Sequence, residues 1–339
     1  MISHKQAITV LTGDRPTGKL HLGHYIGSIQ NRIKLQEEYT GNCFYMVADM
    51  QALTDNADNP EKISTNVTEI VLDNLACGVD PQKTVMFVQS AVPEIAELAL
   101  LFLNLVTLAR LRRNPTVKSE MQQKGYGEDV PAGFLTYPIS QAADILFCKA
   151  SLVPVGDDQL PVIEQCNEIV HKFNSLYGEV FQKITPVVPE VSRLIGLDGS
   201  AKMSKSLNNA IYLSDSDEEI EKKVNSMFTD PGHVKASDPG KIEGNTVFTY
   251  LDIFDPNKDE VAELKKQYQA GGLGDVVLKK RLAGVLKDII GPIRNRRIKF
   301  ASDKDYAIRV LEEGTEKARE IATKTLNEVR TALGIDYFS

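Results

Sequence analysis

Two short segments, far apart in the chain, contain residue types that bind phosphate groups. The first is HLGH (residues 21–24), which follows a glycine- and proline-rich turn where a helical pattern begins. A helix N-terminus offers unpaired N–H groups and a positive dipole end to an anion, and the two imidazoles add donors one turn apart. The second is KMSKS (residues 202–206), whose two lysines lie in a glycine-flanked loop. Together they predict a site for a polyphosphate.

Each segment also has a simpler explanation when it is taken alone. The two histidines could be surface or core residues or a metal pair, and a basic pentapeptide is often a solvated loop. A metal pair is disfavoured because no third ligand follows at a usual spacing. Residues 13–19 (GDRPTGK) fit the start of the GxxxxGK phosphate loop, but Leu20 replaces the Ser or Thr that the loop requires for magnesium.

The elements that position these segments alternate between strands and helices in the first part of the chain. Apolar, β-branched runs predict strands at 7–11, 43–48, 84–88 and 151–155, with helices starting near residue 22 and covering 63–77. Strands that are apolar on both faces and separated by helices indicate a parallel sheet. The last third is mainly helical, with predicted helices at 218–227, 258–270 and 276–290.

Composition limits the classes of protein to which the chain can belong. It has 339 residues, a net charge of −7, four cysteines and no tryptophan. This length predicts two domains, and no apolar stretch is long enough to span a membrane. The apolar segment 96–111 is expected to be a buried or subunit-interface helix. Four cysteines without CxxC spacing, in apolar or helical contexts, and the lack of a signal pattern predict a reducing, cytoplasmic location.

The paired segments resemble the HIGH and KMSKS signatures of class I aminoacyl-tRNA synthetases. Within that class the chain resembles the bacterial tryptophanyl-tRNA synthetases through the segments 12–28, 47–55, 135–146, 152–159 and 202–206. The resemblance implies an α/β fold in which a Rossmann-like catalytic domain with a parallel sheet (1–212) precedes an all-helical anticodon-binding domain (213–320). A C-terminal helix (321–339) is expected to pack back on the catalytic domain.

The resemblance also implies a reaction and its partners. ATP, with Mg²⁺, activates L-tryptophan to an adenylate, and the aminoacyl group moves to the 2′-hydroxyl of the terminal adenosine of tRNA(Trp). We expect a homodimer that does not bind membranes, with no dedicated metal site, so that magnesium arrives with ATP. A basic cluster between residues 279 and 299 is expected to form part of the tRNA surface.

Roles for single residues follow from matching them to the family's motifs. His21, His24, Lys202 and Lys205 are implied to be catalytic, through contacts with the phosphates that strengthen as the KMSKS loop closes. The implied ATP-binding residues are Arg15, Pro16, Thr17, Gly23, His24, Gly156, Asp157, Asp158, Gln159, Leu194, Lys202, Met203, Ser204, Lys205 and Ser206. Arg15 stands where the family often has glutamine.

The amino acid is implied by three residues spaced on one helix face, Tyr137, Gln141 and Asp144. In the family, Asp144 matches the acceptor of the indole N–H, and Tyr137 lies beside the substrate's ammonium group. The same YxxxQxxD pattern binds tyrosine in tyrosyl-tRNA synthetases, and both Gln141 and Gln51 depart from the residues common in tryptophan enzymes. Pro138 and the VPVGDDQ segment favour tryptophan over tyrosine.

Two further alternatives belong to other functional classes. A paralogue that binds tRNA or a regulatory partner without catalysis would be expected to lack phosphate-contacting residues, yet both histidines and both lysines are present. A different adenylate-forming or nucleotidyl-transferring enzyme on the same fold is disfavoured by the amino-acid motif and the basic helical segment.

Overall fold

The computed structural model describes residues 8–40, 42–189, 191, 193–205, 207–303 and 305–338. The chain divides into two compact units. The first unit comprises Met1–Gly18, Ser28–Ser192 and Asp303–Ser339, and the second comprises Lys19–Gly27 and Arg193–Ser302. Each unit therefore contains segments that are distant in the sequence.

The first unit is built on a parallel five-stranded sheet. Its strands are β1 (Val10–Asp14), β2 (Cys43–Val47), β3 (Thr84–Val88), β4 (Leu152–Pro154) and β5 (Thr185–Val187), in the spatial order β3-β2-β1-β4-β5. Every residue of strand β2 is buried, as expected for a strand covered on both faces. The predicted parallel sheet is confirmed, and β5 is a strand that the sequence pattern did not predict.

The helices are numbered along the chain. They are α1 (Leu22–His24), α2 (Gln30–Glu38), α3 (Asp49–Asn56), α4 (Pro60–Cys77), α5 (Pro93–Phe102), α6 (Leu108–Arg113), α7 (Pro115–Gln123), α8 (Ala132–Leu146), α9 (Leu160–Tyr177), α10 (Asp217–Asn225), α11 (Thr246–Phe254), α12 (Lys258–Ala270), α13 (Asp275–Ser302) and α14 (Tyr306–Leu333). A π-helical turn covers Tyr25–Ile29, and 3₁₀ turns cover Gln89–Ala91, Leu103–Leu105 and Asp157–Gln159. Within the described residues, no helix is long and apolar enough to cross a membrane.

The strand order places two candidate loops side by side in the first unit. The chain runs outward from β1 to β2 and β3, and then returns to the other side of β1 as β4. Ligands of open parallel sheets bind beside the carboxyl ends of the strands at the point where the order reverses. Here that point lies between β1 and β4, so the loops that begin at Arg15 and Gly156 flank it.

The long C-terminal helix α14 covers the edge of the sheet at β3. The Thr315 hydroxyl accepts a hydrogen bond from the Val88 backbone N–H at 3.3 Å, which protects an otherwise open edge strand. A Cβ atom on Gly314 would lie only 1.8 Å from the carbonyl oxygen of Met86. Glycine at this position therefore allows the helix backbone to approach the strand.

We expect Gly314→Ala to lower the free energy of unfolding by about 3 kcal/mol, because the added methyl group meets rigid backbone. Urea denaturation of the purified variant measures the change. Gly133→Ala is the matched control, since Gly133 lies in the first turn of α8 and a methyl group added there would have no other residue within 4 Å. The control should change the stability by less than about 1 kcal/mol in either direction. Equal stabilities for the two variants would contradict the close approach.

The unit boundaries differ from the predicted domain boundaries at 212 and 320. Residues 193–212 join the second unit because His21 pairs with Tyr212 and because Leu22 N donates to Ile211 O at 2.9 Å. Residue 320 falls inside α14, which is one continuous helix of the first unit. The second unit is otherwise helical.

Three basic residues of the cluster on α13 form ion pairs within the second unit. Arg281 binds Asp255 at 2.7 Å, Arg294 binds Asp217 at 2.7 Å and Lys287 binds Glu221. These acidic partners lie on or beside α10 and α11, against which α13 packs. These three residues therefore help to stabilise the helical unit, and the expected contribution of the cluster to the tRNA surface stays a prediction.

Candidate active site

The two histidines of HLGH form a reciprocal cap on the N-terminus of α1. His21 Nδ1 accepts the backbone N–H of Gly23 at 3.1 Å, and His24 Nδ1 accepts the backbone N–H of His21 at 3.2 Å. The ring centroids are 3.8 Å apart. This arrangement satisfies two donors of the helix N-terminus in the way that a capping box does.

The cap determines which ring nitrogen carries a proton. Burial lowers the pKa of His21 to about 2, with further contributions from His24, Lys205 and Lys202, so the ring is neutral at physiological pH. Because Nδ1 is the acceptor in both capping bonds, a neutral ring in either residue is protonated at Nε2. His21 can therefore donate a neutral hydrogen bond to a phosphate oxygen, but it does not supply a positive charge.

Gly23 is required by the packing of the cap and lies beside the KMSKS segment. A Cβ atom at Gly23 would lie 2.9 Å from Cε1 of His21 and 3.7 Å from Cβ of Met203. Met203 is 2% exposed, so the middle of KMSKS is an anchor in the second unit and not a solvated loop. The fold therefore brings the two segments together across about 180 residues of sequence, as the resemblance implied.

A short hairpin holds the KMSKS segment in place. Met203 N donates to Leu194 O at 2.9 Å and Gly196 N donates to Ala201 O at 2.7 Å, and Ile195 pairs with Lys202. The buried Leu194 thus contacts KMSKS through its backbone. Two lysines flank the anchored Met203; Lys202 is exposed and Lys205 is half-buried.

Asn209 fixes the turn that follows Met203. Its Oδ1 accepts the Ser204 backbone N–H at 2.8 Å, and its Nδ2 donates to Asp198 Oδ1 at 2.9 Å. Asn209 is 5% exposed, and sequence reasoning did not identify it or Asp198. Ser206, which the resemblance also assigns to ATP binding, lies outside the described residues.

In the first unit, a carboxylate on α8 is buried and held by two amides. Gln89 Nε2 donates to Asp144 Oδ1 at 2.6 Å, and Gln51 Nε2 donates to Asp144 Oδ2 at 3.0 Å. Burial raises the pKa of Asp144 to about 7, and the two amide hydrogen bonds oppose this shift. The two glutamines are themselves linked, since Gln51 N donates to Gln89 Oε1 at 3.1 Å.

The other two members of the predicted face lie on the same helix. Tyr137 is 7% exposed, and both burial and the nearby Glu120 carboxyl raise its pKa. Burial also raises the pKa of Glu120. Gln141 is half-buried. Tyr137 and Asp144 thus have buried polar groups on the helix face where the sequence predicted an amino-acid site.

Arg15 pairs with an acidic residue of the first unit. Its Nη1 lies 2.7 Å from Asp55 Oδ2, and Lys124 Nζ binds the other oxygen at 3.1 Å. Pro16 is buried beside it, and Thr17 N donates to Arg15 O at 2.8 Å, which closes a tight turn after β1. The guanidinium of Arg15, whose role the sequence left open, is therefore oriented by Asp55.

The loop after β4 forms a 3₁₀ turn at the other side of the strand-order reversal. Gln159 N donates to Gly156 O at 2.9 Å, and the carbonyl of Asp158 accepts the Thr116 hydroxyl at 2.7 Å. A Cβ atom at Gly156 would lie 2.7 Å from Asp158 Oδ1. The turn formed by Gly156, Asp157, Asp158 and Gln159 is thus compact, with its acidic and amide side chains at the carboxyl edge of the sheet.

No described part of the chain brings three or more His, Cys, Asp or Glu side chains together in a way that could hold a metal ion. The four cysteines are buried and do not form disulfide bonds. The site residues that sequence reasoning missed are Gln89, Asn209, Asp55 and Glu120. Gln89 had a usable signal, since it is a buried polar residue directly after the apolar strand β3.

Comparison with known proteins identifies the family. The family described as tRNA synthetases class I (W and Y) matches residues 3–290. The tryptophan–tRNA ligase of Clostridium longisporum is 56% identical over 333 residues, covering 97% of this chain and 98% of that protein. The tryptophan–tRNA ligase of Lactococcus lactis is also 56% identical, over 336 residues, with the same coverage.

Solved structures agree with the sequence relatives. The tryptophanyl-tRNA synthetase of Campylobacter jejuni, in complex with ADP and tryptophan, superposes with a TM-score of 0.83 at 29% identity, covering 96% of this chain and all of that chain. The enzyme of Mycoplasma pneumoniae gives a TM-score of 0.81 at 26% identity, covering 97% and 98%. The chain therefore belongs to the class I tRNA synthetases for tryptophan and tyrosine and, within them, to the tryptophan–tRNA ligases.

Proposed function

We propose that this protein activates L-tryptophan with ATP and transfers it to the terminal adenosine of tRNA(Trp). The observation that supports an aromatic substrate with a ring donor is the buried Asp144 carboxylate, which accepts hydrogen bonds from Gln51 and Gln89 on the helix that also carries Tyr137. A buried acceptor selects a substrate with a ring donor, since an analogue without that donor leaves the carboxylate unpaired. The similarity to tryptophan–tRNA ligases favours the indole N–H over a phenol hydroxyl as that donor.

The first step is the attack of the tryptophan carboxylate on the α-phosphorus of ATP, which releases pyrophosphate. No covalent bond to the enzyme is needed, so catalysis consists of positioning and of stabilising charge on the phosphate oxygens. We assign Nε2–H donors to His21 and His24, and the positive charges to Lys202 and Lys205. The close packing at Gly23 supports this assignment, because it places both segments at one helix N-terminus.

The assignments to the nucleotide-binding residues of the first unit rest on the strand order of its sheet. We propose that Gly156, Asp157, Asp158 and Gln159 contact the ribose and adenine, and that Arg15, Pro16 and Thr17 line the nucleotide from the loop after β1. Their place at the reversal of strand order supports this assignment. The ion pair with Asp55 places the Arg15 guanidinium beside this loop.

We propose that magnesium binds through the phosphates of ATP and not through a dedicated site on the protein. Magnesium commonly binds through substrate phosphates and keeps several waters, and the described side chains offer no dedicated ligand cluster. We therefore propose that MgATP is the form of the nucleotide that binds, with Leu194, Met203 and Ser204 shaping the loop that carries the two lysines.

We also propose that the protein acts as a homodimer in the cytoplasm. Exposed apolar side chains occur on α5, α6 and the 3₁₀ turn between them, where Leu100 is 63% exposed and Leu108 is 64% exposed. Leu176, at the end of α9, is 57% exposed. Apolar side chains of this size on one region of a surface favour a protein interface. Buried cysteines that form no disulfide bonds support a reducing compartment.

The proposal is tested by pyrophosphate exchange with tryptophan and tyrosine side by side. We expect tryptophan-dependent exchange, and a specificity constant for tyrosine lower by at least about 10³-fold, since the phenol hydroxyl projects from a smaller ring system and does not meet an acceptor placed for the indole N–H. Charging of tRNA(Trp) transcript checks the second step. Exchange with tyrosine alone would overturn the assignment of the amino acid.

A further inference from the structure

One buried carboxylate of the second unit has no part in the proposed reaction so far. Asp215 precedes α10 in the chain and is 5% exposed. Its Oδ2 accepts the backbone N–H of Tyr212 at 2.8 Å and binds the ammonium group of Lys223 at 2.6 Å. The backbone N–H of Asp215 donates in turn to the carbonyl of Tyr212 at 3.2 Å. A buried charge with these partners fixes the turn formed by residues 212–215.

An arginine on α13 holds the same turn from another side. Arg294 Nη1 donates to the backbone carbonyl of Asp215 at 2.6 Å, and its Nη2 donates to Asp217 Oδ1 at 2.7 Å. Asp217 is the first residue of α10. A planar guanidinium is suited to binding two acceptors at once. Arg294 therefore joins α13 both to the 212–215 turn and to the start of α10.

The 212–215 turn is joined by backbone hydrogen bonds to the start of the HLGH segment. His21 forms an antiparallel bridge with Tyr212. Two hydrogen bonds enclose this bridge, from Leu22 N to Ile211 O at 2.9 Å and from Leu213 N to Leu20 O at 3.1 Å. The position of the His21 backbone therefore depends on the conformation of the turn.

Side chains repeat this connection. The Nζ atom of Lys223 lies 4.5 Å from the centroid of the Tyr212 ring, a distance at which a cation is attracted to an aromatic ring. The Tyr212 ring packs edge-on against His21 with centroids 6.5 Å apart, and the His21 ring contacts that of His24. A continuous set of contacts within the second unit thus leads from α10 and α13 to the histidine cap.

We propose that Asp215 is a positioning residue for His21, and that Arg294 acts on His21 through Asp215. The inference deepens the proposed function and rests on it, because His21 is assigned there to a phosphate oxygen of ATP. A displacement of about 1 Å in a group that positions a substrate can lower a rate by about 10²-fold. Arg294 then contributes to the activation of the amino acid without a contact to tRNA.

The first variant is Asp215→Ala. We expect kcat for tryptophan-dependent pyrophosphate exchange to fall by about 10²-fold, because His21 loses its fixed position. The affinity for tryptophan should stay within about 2-fold, because the residues assigned to the amino acid lie in the first unit. Since the chain contains no tryptophan, the fluorescence of the bound amino acid measures this affinity and the number of binding sites directly. An unchanged exchange rate would overturn the proposal.

Asp255→Ala is the matched control. Asp255 is 1% exposed at the end of α11, and it also binds an arginine of α13, with Arg281 Nε at 2.7 Å. Its Oδ1 accepts the backbone N–H of Asn257 at 2.9 Å. The control therefore removes the same kinds of bond from another turn of the second unit, and its exchange rate should stay within about 2-fold. Equal losses in the two variants would show that a weakened helical unit is responsible, which contradicts positioning by Asp215.

The tautomer of His21 is a second readout. His21 Nδ1 accepts the Gly23 N–H, so the neutral ring carries its proton on Nε2. Proton–nitrogen correlation spectra of protein labelled at its five histidines detect this state. Asp215→Ala should give a mixture of the two neutral tautomers at His21, whereas Asp255→Ala should keep the wild-type signal. A lowered exchange rate with an unchanged His21 signal would mean that Asp215 acts elsewhere, against the proposal.

Lys223→Met gives the same test in a variant that keeps Asp215 and the backbone of the turn. Methionine retains part of the apolar side chain but removes the charge that binds Asp215 and lies by the Tyr212 ring. We expect kcat for exchange to fall by about 10-fold, and Lys223→Arg to recover most of this loss. Wild-type exchange in Lys223→Met together with a wild-type His21 signal would contradict the proposal even if Asp215→Ala does not fold.

The role of Arg294 is tested by Arg294→Gln in exchange assays without tRNA. We expect kcat for exchange to fall by about 10-fold, while KM for tRNA(Trp) in aminoacylation stays within about 2-fold. A loss confined to KM for tRNA(Trp), with normal exchange, would assign Arg294 to the RNA surface and remove it from the proposal.

These experiments distinguish the inference from the proposed function. Absence of tryptophan-dependent exchange in the wild-type protein contradicts the proposed function itself. The His21 spectra need no substrate, so they still decide whether Asp215 positions His21. Normal exchange in Asp215→Ala and Lys223→Met contradicts only the role of Asp215.

Discussion

Replacing Lys205 by alanine is expected to lower the rate of tryptophan-dependent pyrophosphate exchange by about 10³-fold while changing the affinity for ATP by less than about 3-fold. The reason is that negative charge builds up on the departing pyrophosphate, so a positioned ammonium group stabilises the transition state more than bound ATP. Lys205 belongs to the set of charges near the α1 cap, since it and Lys202 both contribute to the low pKa of His21. Exchange kinetics and equilibrium binding of ATP measure the two quantities separately.

The control for Lys205 is another lysine of the second unit. Lys235 is exposed in a loop, and Lys235→Ala should leave both the exchange rate and the ATP affinity within about 2-fold. Lys205→Arg should restore only part of the rate, because a guanidinium is larger and binds in a different geometry. Equal losses of ATP affinity and exchange rate in Lys205→Ala would show that the lysine acts on the ground state.

The sequence predicted the regular elements well where the local signals are strong. The strand at 84–88 and the helix at 258–270 have the predicted bounds, and the helix is delimited by Asn257 as its cap and by Gly271 at its end. The strand Thr185–Val187 was missed because it has three residues with a proline in the middle, which removes the usual strand signal. The first strand lies at Val10–Asp14, further along than predicted, because its pairing with β2 extends to Asp14.

The division into units could not be read from the sequence, because it depends on contacts between distant segments. Residues 19–27 join the second unit through pairing of His21 with Tyr212 and through the hydrogen bond from Leu213 N to Leu20 O. No local pattern carries this information. The same holds for the pairing of the basic residues on α13, whose acidic partners precede them by tens of residues.

The candidate site was predicted in its chemistry but not in its supporting contacts. Motif residues were found because the family keeps them at fixed spacings, and the resemblance to tryptophanyl-tRNA synthetases is confirmed by the relatives. The residues that orient them were missed, since Gln89, Asn209 and Asp55 each act through a hydrogen bond to a residue elsewhere in the chain. Their importance follows from geometry and not from their residue type.

The second large effect is expected at Asp144. Asp144→Asn should lower kcat/KM for tryptophan in pyrophosphate exchange by about 10²-fold or more, because a charged acceptor of the indole N–H is replaced by a neutral amide. In the wild-type protein Gln51 and Gln89 both donate to the carboxylate, whereas the NH₂ group of asparagine would face one of these donors with a donor of its own. The affinity for ATP should stay within about 3-fold. Asparagine has the same shape, so the comparison does not depend on a variant with a cavity.

The pH dependence of the reaction gives an independent check on the role of Asp144. Burial raises the pKa of Asp144 to about 7 in the free protein, so the ionised fraction falls as the pH is lowered through 7. Only the ionised form is a strong acceptor, and therefore kcat/KM for tryptophan should fall by about 10-fold per pH unit below that value. In Asp144→Asn this dependence should disappear. A pH profile that is unchanged by the substitution would assign the titration to another group.

A substrate that lacks the ring donor decides whether Asp144 acts on the indole N–H directly. In β-(3-benzothienyl)-alanine a sulfur atom replaces that N–H, so the analogue leaves the carboxylate unpaired in the wild-type protein. We expect kcat/KM of the wild-type protein to be about 10³-fold higher for tryptophan than for the analogue. In Asp144→Asn this ratio should be about 10 or less. The loss of preference measures the coupling between the carboxylate and the donor, because effects on folding or on ATP binding cancel in the ratio. If the substitution lowers the rates for both substrates equally, Asp144 stabilises the pocket without contacting the indole N–H. In that case Gln89→Leu, which removes one of the two amides that donate to Asp144, should also leave the ratio of kcat/KM for the two substrates unchanged. If Asp144 contacts the indole N–H directly, the ratio should fall in Gln89→Leu, because Asp144 loses its fixed orientation.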